Sequence, residues 1–305
     1  MSVKVKNVSK YYGQQAALNN VSFEVNAGEV VGLLGPNGAG KSTMMKIITC
    51  FIPPSKGDVE VCGYDIYEQS LNVRQKVGYL PENNPLYYDM YIKEYLYFIA
   101  QIHNIGKKNI NNKIKEIIDI TGLNSEINKK IGFLSKGYKQ RVGLAQSMIH
   151  NPDVLILDEP TVGLDPNQIT DIRSLIRKIG KEKTVILSTH IMQEVEAVCD
   201  RAIIIDKGHI VADDTTENLS QLTDANFIIK IEFENEVDIS FFKMIKGILK
   251  INNEKNKIYT LVCDKKHDIR AEIFKMSVQK GYTILSLQKE EQSLEKVFQN
   301  LTSKN

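Results

Sequence analysis

The sequence predicts an α/β fold followed by a smaller α+β domain, and three observations carry that expectation. Short β-branched runs alternate with amphipathic helical stretches through the first two thirds, the pattern of a sheet wrapped by helices. A glycine-rich stretch, Gly35 to Thr43, falls between an apolar run and a helical one. Near residue 215 the order of elements changes.

Taken in order, Val21–Val25 reads as a half-buried strand, and Val30–Leu34, apolar throughout, as a fully buried one. Lys41 to Cys50 has helical apolar spacing and is stopped by Pro53 and Pro54. Tyr91–Asn104 and Ile110–Thr121 read as helical, the second ended by Gly122. Val154–Leu157 and Val185–Leu187 are two further buried strands, and Ala202–Asp206 turns at Lys207-Gly208 into His209–Ala212 as a hairpin. The boundary near 215 divides the chain into residues 1–215 and 216–305. Beyond it come strand (Phe227–Phe233), helix (Ile239–Ile248), strand (Leu249–Asn252), strand (Lys257–Cys263), helix (Ile269–Lys280) and strand (Thr283–Leu287). That is the order of a ferredoxin-like split βαβ unit, with a terminal helix expected around Leu294–Phe298.

Composition narrows the function. A hydrophobic content of 42% and a charged content of 25% over 305 residues belong to a soluble globular protein of about two domains. Lys+Arg 39 against Asp+Glu 37 leaves a net charge of +2, and the lysine pairs at 107–108, 129–130 and 265–266 are scattered. These read as solvated surface, and no direct nucleic-acid binding is expected. Cys50, Cys62, Cys199 and Cys263 lie far apart without a Cys-x-x-Cys, so neither structural zinc nor a disulfide framework is expected, and a reducing cytosol suits them. No apolar run approaches the roughly 20 residues of a spanning helix, and the N-terminus lacks the apolar stretch of a signal peptide.

Chemistry concentrates in two motifs. GPNGAGKST, Gly35 to Thr43, follows a buried strand and opens a helix, as the phosphate-binding loop G-x-x-x-x-G-K-[ST] requires. Its glycines let several N–H groups converge on one phosphate chain, Lys41 reaches the outer phosphates, and the Ser42 hydroxyl suits Mg²⁺. Lys41 is expected to face solvent when no nucleotide is bound. In VLILDEP, Val154 to Pro160, adjacent carboxylates end an apolar strand, which is costly unless they bind something. Asp158 is expected to hold Mg²⁺ through water and Glu159 to act as general base. His190, after the strand in ILSTH, is placed to contact the γ-phosphate.

Alone, the phosphate loop leaves kinases, GTPases and motor ATPases open. With LSKGYKQR (Leu134 to Arg141), GLDP (Gly163 to Pro166) and His190 in order behind it, the chain resembles the ATP-binding-cassette (ABC) ATPases over about residues 1–220. The resemblance implies a P-loop fold of ABC type with a helical subdomain inserted at about 83–150. It implies ATP and Mg²⁺ as cofactors, with Tyr12 on the adenine and Gly35, Pro36, Asn37, Gly38, Ala39, Gly40, Lys41, Ser42 and Thr43 around the phosphates. Ser42, Asp158 and Glu82 fall at the metal, Glu159, His190 and Lys41 at the reaction, and Ser135 and Gly137 at the γ-phosphate of a partner's site.

Implied partners are a second copy or a homologous ATPase subunit, meeting head to tail, and a multi-span membrane permease. The implied place is the cytoplasmic face of the cell membrane. Two motifs depart from the family pattern: in the signature Lys136 and Tyr138 stand where Gly and Gln are commonest, and in the Q-loop Glu82 stands where Gln is usual. YLPE-x-NPLYYDMY and the terminal SLEKVFQNLT resemble the type-2 exporter branch, which includes gliding-motility-associated subunits. The alternative is a soluble ABC ATPase without a transport role, although such proteins usually carry two cassettes or a long coiled-coil insertion. The cluster Tyr87, Tyr88, Tyr91, Tyr95, Tyr97 and Phe98 reads either as a docking groove or as the core face of the helical subdomain.

Overall fold

The chain opens with a strand that its sequence pattern conceals. In the computed structural model, β1 (Val3–Tyr12) and β2 (Gln15–Val25) pair antiparallel, Val3 opposite Val25 and Tyr12 opposite Gln15. Alternation marks only Val21–Val25 of this hairpin, because the pairing is bulged between Val5 and Val8 and again near Lys10. The structure describes residues 1–221, 226–255, 257–264 and 268–290. It divides into two compact units, Met1–Thr216 and Glu217–Asn305.

In the first unit, β3 (Val30–Leu34) is buried at every residue and runs through the glycine-rich loop into α1 (Lys41–Ile48). The helix stops two residues short of Cys50, which takes a left-handed φ of 58°. β4 (Lys56–Val61) and β5 (Tyr64–Asp65) complete an antiparallel sheet of order β2-β1-β4-β5. There follow α2 (Ser70–Lys76), β6 (Val77–Leu80), α3 (Ile92–Ile102), α4 (Lys107–Thr121), α5 (Lys136–Met148) and β7 (Val154–Asp158). The unit continues with α6 (Pro166–Gly180), β8 (Thr184–Thr189), α7 (Met192–Val198), β9 (Arg201–Asp206) and β10 (His209–Thr215).

These strands make a six-stranded sheet of order β10-β9-β3-β8-β7-β6, parallel from β9 through β6, with β10 antiparallel to β9. Parallel pairing sends the carboxyl ends of β3, β7 and β8 to one edge, where ligands of open α/β sheets bind. One face of the sheet, Val31, Leu33, Ile156, Ile186 and Ile203, shares a core with Met44, Met45, Ile47 and Ile48 of α1 and with Val3, Val5 and Val8 of β1. Each fully buried aliphatic chain there contributes about 1.5–3 kcal/mol, and together they pin the start of α1 against the sheet.

Helices α3 to α5 lie between β6 and β7 in the chain. α4 ends on Gly122 in the left-handed conformation, φ 66°, and Ser135 caps α5 by accepting from the Tyr138 N–H. The aromatic cluster divides: Tyr95 is a core residue, whereas Tyr87, Tyr88, Tyr91 and Tyr97 are exposed. Among the described residues no helix is long and apolar enough to cross a membrane.

A short helix, α8 (Thr216–Gln221), follows β10. The second unit contains β11 (Asn226–Phe233), α9 (Ile239–Lys243), β12 (Ile248–Lys255), β13 (Ile258–Asp264), α10 (Arg270–Lys280) and β14 (Ile284–Glu290). Its sheet runs β12-β13-β11-β14, antiparallel throughout, which is the ferredoxin-like arrangement. α9 is one turn rather than the predicted Ile239–Ile248, because the chain turns at Gly247, φ 94°, and enters β12 at once. Phe233 centres this core, with Phe241, Phe242, Tyr259 and Tyr282 all packed edge-on against it. The expected helix around Leu294–Phe298 and the pair at 265–266 lie outside the described residues.

Candidate functional site

The site forms where β3 hands over to α1. Gly40, φ 111°, is the residue just before the helix, and a Cβ there would sit 2.5 Å from the Ala17 carbonyl oxygen, so only glycine fits. Among the described residues no side chain caps α1, which leaves its first N–H groups directed at the space in front. With the helix dipole they make an anion site. That space is a cleft of about 400 Å³, whose walls include Asn37, Gly38, Lys41, Ser42, Glu159 and His190.

Lys41 does not face solvent. It is 5% exposed, and its Nζ donates to the carbonyl oxygens of Gly35 (2.7 Å) and Pro36 (3.2 Å) and lies 3.5 Å from Glu159 Oε1. The expectation fails because the loop curls its own carbonyls around the ammonium, satisfying donors that burial would otherwise leave unpaired. Pro36 and Gly35 thus serve Lys41, and Ala39 is buried with its carbonyl on the Gly208 N–H.

Glu159 is held at φ 50°, unusual for a side chain of its size and costing about 1–3 kcal/mol. Its N–H donates to both the carbonyl (3.2 Å) and the hydroxyl (3.1 Å) of Ser188, which fixes the bend. The carboxylate turns back into the cleft, where His190 Nδ1 donates to Oε2 at 2.9 Å. Asp158, 2% exposed, sits behind Ser42 and accepts at Oδ1 from Ser42 Oγ (3.0 Å) and Ser188 Oγ (2.5 Å). Glu82 is exposed and reaches the same cleft. Nearby, burial pushes the Tyr79 hydroxyl well above its usual range, helped by the charges of Asp158 and Glu82, so it stays protonated.

The structure thus brings Lys41, Ser42, Asp158, Glu159, His190 and Glu82 together. Tyr12 stands apart at the end of β1, 52% exposed with the Lys10 ammonium 5.4 Å from its ring. Ser135 and Gly137 lie at the start of α5 instead of lining the cleft. Ser188, Ala17 and Val162 carry no motif and escape sequence reasoning. For the first, the available signal is the paired hydroxyls Ser188-Thr189 at the end of a buried strand.

The family described as "ABC transporter" matches residues 18–162. The chain is 31% identical, over 99% of its length and 98% of the relative's, to the linearmycin resistance ATP-binding protein LnrL of Bacillus subtilis (strain 168). It belongs to the ATP-binding proteins of ABC transporters.

This ABC ATPase is also 31% identical to the bacitracin transport ATP-binding protein BcrA of Bacillus licheniformis, across 98% of the chain and 96% of that protein. Its fold is similar to the dimeric post-hydrolysis structure of the ATP-binding cassette MJ0796 bound to ADP and Pi, with a TM-score of 0.63 and 28% identity. That likeness covers 70% of this chain and 98% of the cassette. As a member of the family the chain binds nucleotide and hydrolyses ATP. In this ABC ATPase the unusual Lys136 lays its side chain across Gly163 of the GLDP segment, so that a Cβ there would collide with the ammonium.

Proposed function

We propose that this chain is the ATP-hydrolysing subunit of an exporter, closing head to tail on ATP with a second copy or a homologous subunit. It would drive a separately encoded multi-span membrane protein from the cytoplasmic face of the cell membrane. The observation that carries the catalytic part is the line Lys41–Glu159–His190 at the mouth of the phosphate loop, its first two members buried and His190 on the solvent side. Export is supported by the names of relatives. BcrA is a bacitracin transport protein, and a Nod factor export ATP-binding protein of Burkholderia lata is 35% identical over 69% of this chain and 70% of its own. Both names favour transport over the soluble alternative. The gliding-motility assignment rests on the sequence resemblance alone.

In this reading the N–H groups at the start of α1 and the Lys41 ammonium hold the β- and γ-phosphates. Glu159 Oε1 or Oε2 takes a proton from the attacking water, and His190, hydrogen-bonded to Oε2, keeps that carboxylate aimed and reaches toward the γ-phosphate. Ser42 and Asp158 offer hard oxygen donors side by side, a set that fits Mg²⁺, with Glu82 as a third across the cleft. When bound, Mg²⁺ neutralises phosphate charge. Tyr12 would stack on adenine. The location of Ser135 and Gly137 outside this cleft supports the reading in which they complete a partner's site.

Affinity capture from detergent-solubilised membranes tests the transport half. A multi-span protein recovered in stoichiometric amount is expected, and a chain found only in the soluble fraction, without such a partner, would favour the soluble reading.

A further inference from the structure

Glu194, on the first turn of α7, is 2% exposed, and the chemistry above does not use it. Its two oxygens take different partners. Oε2 accepts from Thr189 Oγ1 at 2.7 Å, and Oε1 accepts from Thr161 Oγ1. Arg173 of α6 places Nη2 3.9 Å from Oε1, while its Nε is buried with no hydrogen-bond partner among the described residues. Thr189 immediately precedes His190, and its hydroxyl also accepts from the Ile191 N–H at 3.0 Å, so both neighbours of His190 are tied down. Thr161 follows Glu159 by two residues, in the loop leaving β7.

A buried carboxylate is expensive to desolvate, and an apolar side chain of similar volume often serves stability as well or better. Arg173 at 3.9 Å is a loose counter-cation. What the carboxylate offers that an apolar group does not is two charged acceptors on one rigid plane, joining the ends of two strands. Those ends carry Glu159 and His190, which must stay within the 2.9 Å that the structure shows.

We propose that Glu194 is a positioning residue for hydrolysis: through Thr161 and Thr189 it holds Glu159 and His190 in register with each other. This rests on the roles proposed above for Glu159 and His190. Hydrogen bonds to an ionised acceptor are short and roughly twice as strong as neutral ones. Glutamine has one acceptor oxygen, so one threonine would lose its acceptor and its strand end would loosen. A displacement of about 1 Å at reacting groups costs on the order of 100-fold in rate.

The test measures steady-state ATPase and equilibrium MgATP binding for the full chain and for Glu194→Gln, Thr161→Val, Thr161→Ser, Thr189→Val and Thr189→Ser. Glu194→Gln and the valine variants should lose about 10- to 100-fold in kcat. Their KM and nucleotide affinity should stay within about twofold, because only the reacting groups move. The serine variants keep the hydroxyl and should recover most of the turnover. Wild-type kcat in Glu194→Gln or in both valine variants overturns the proposal. So do serine variants as slow as their valine counterparts, or an affinity loss that parallels kcat, since both mark a general structural role. If Glu194→Gln fails to fold, the valine–serine pairs decide alone. Wild-type turnover in Glu159→Gln would sink the reading of the site itself, whereas an inactive Glu159→Gln beside a fully active Glu194→Gln sinks this inference only.

Discussion

Lys41 and Glu159 form a buried ion pair, Nζ 3.5 Å from Oε1, with side-chain exposures of 6% and 7%. The cation that would grip phosphate and the carboxylate that would activate water are therefore direct neighbours. His190, 43% exposed, holds the other carboxylate oxygen from the solvent side. Lys41, Glu159 and His190 are each stabilised by another of the three, so substitutions among them act on stability as well as chemistry.

Glu159→Gln should still bind MgATP and lose on the order of 10²–10⁴ in turnover, the contribution of a general base. Unable to complete hydrolysis, it should accumulate as an ATP-bound dimer. Light scattering with ATP alongside a phosphate-release assay checks both. Wild-type turnover, or a species that stays monomeric with ATP, would contradict the assignment.

Lys41→Ala should weaken nucleotide binding and also destabilise the fold, because it strands the buried Glu159 carboxylate. Breaking one side of a buried pair costs about 3–5 kcal/mol, less here because the His190 bond remains. The double variant Lys41→Met/Glu159→Gln should recover stability without activity. Urea unfolding beside nucleotide titration separates the two effects. A Lys41→Ala protein as stable as wild type would mean that the pair is incidental to the fold.

Glu82→Gln should raise the Mg²⁺ concentration for half-maximal ATPase while leaving the enzyme active, since a carboxylate is the stronger ligand for a hard cation. Glu82 faces the same cleft as Ser42, which makes this possible. An ATPase titration over Mg²⁺ for both proteins measures it. An identical requirement would place Glu82 outside the metal's reach.

His150 should make the protein lose stability in mild acid. Its ring stacks on His103 with centroids 3.9 Å apart, and burial, aided by His103 and Lys183, pushes its pKa from the usual 6.5 down to about 4. Above pH 6.5 both folded and unfolded forms are neutral and nothing changes. Between 6.5 and about 4 the unfolded chain takes up a proton that the folded one refuses, so stability falls with pH by up to about 3 kcal/mol. Below about 4 both are protonated and the loss levels off. Urea midpoints across pH should show the fall, and His150→Phe, which keeps the stacked ring, should reduce it. An unchanged slope in that variant would remove His150 as the cause.

Much of the catalytic half is legible in the residues. Buried strands such as Val30–Leu34 and Val154–Leu157 announce themselves because strands covered on both faces are apolar at every position. Gly35 to Thr43 is legible because phosphate binding demands a fixed spacing within one turn of chain. β1 is hidden because its bulges break the two-residue period on which strand recognition depends. α9 reads too long because apolar residues continue past Lys243, at Met244, Ile245 and Ile248, while the turn that ends the run is a single residue, Gly247.

Residue order alone specifies which groups this protein brings to its reaction: a phosphate loop with its lysine, two carboxylates ending a strand, and a histidine ending another. How they meet is a matter of tertiary structure. Lys41 reads as solvent-facing and is buried against Glu159, and Ser188 and Glu194 emerge as the groups that bind the strand ends carrying the site. The physical reason is one of range. A loop that cradles phosphate is specified by neighbours along the chain, whereas Ser188 lies 30 residues from Asp158 and Glu194 lies 33 from Thr161. Those contacts exist only because parallel pairing of β7 with β8 sets their carboxyl ends side by side.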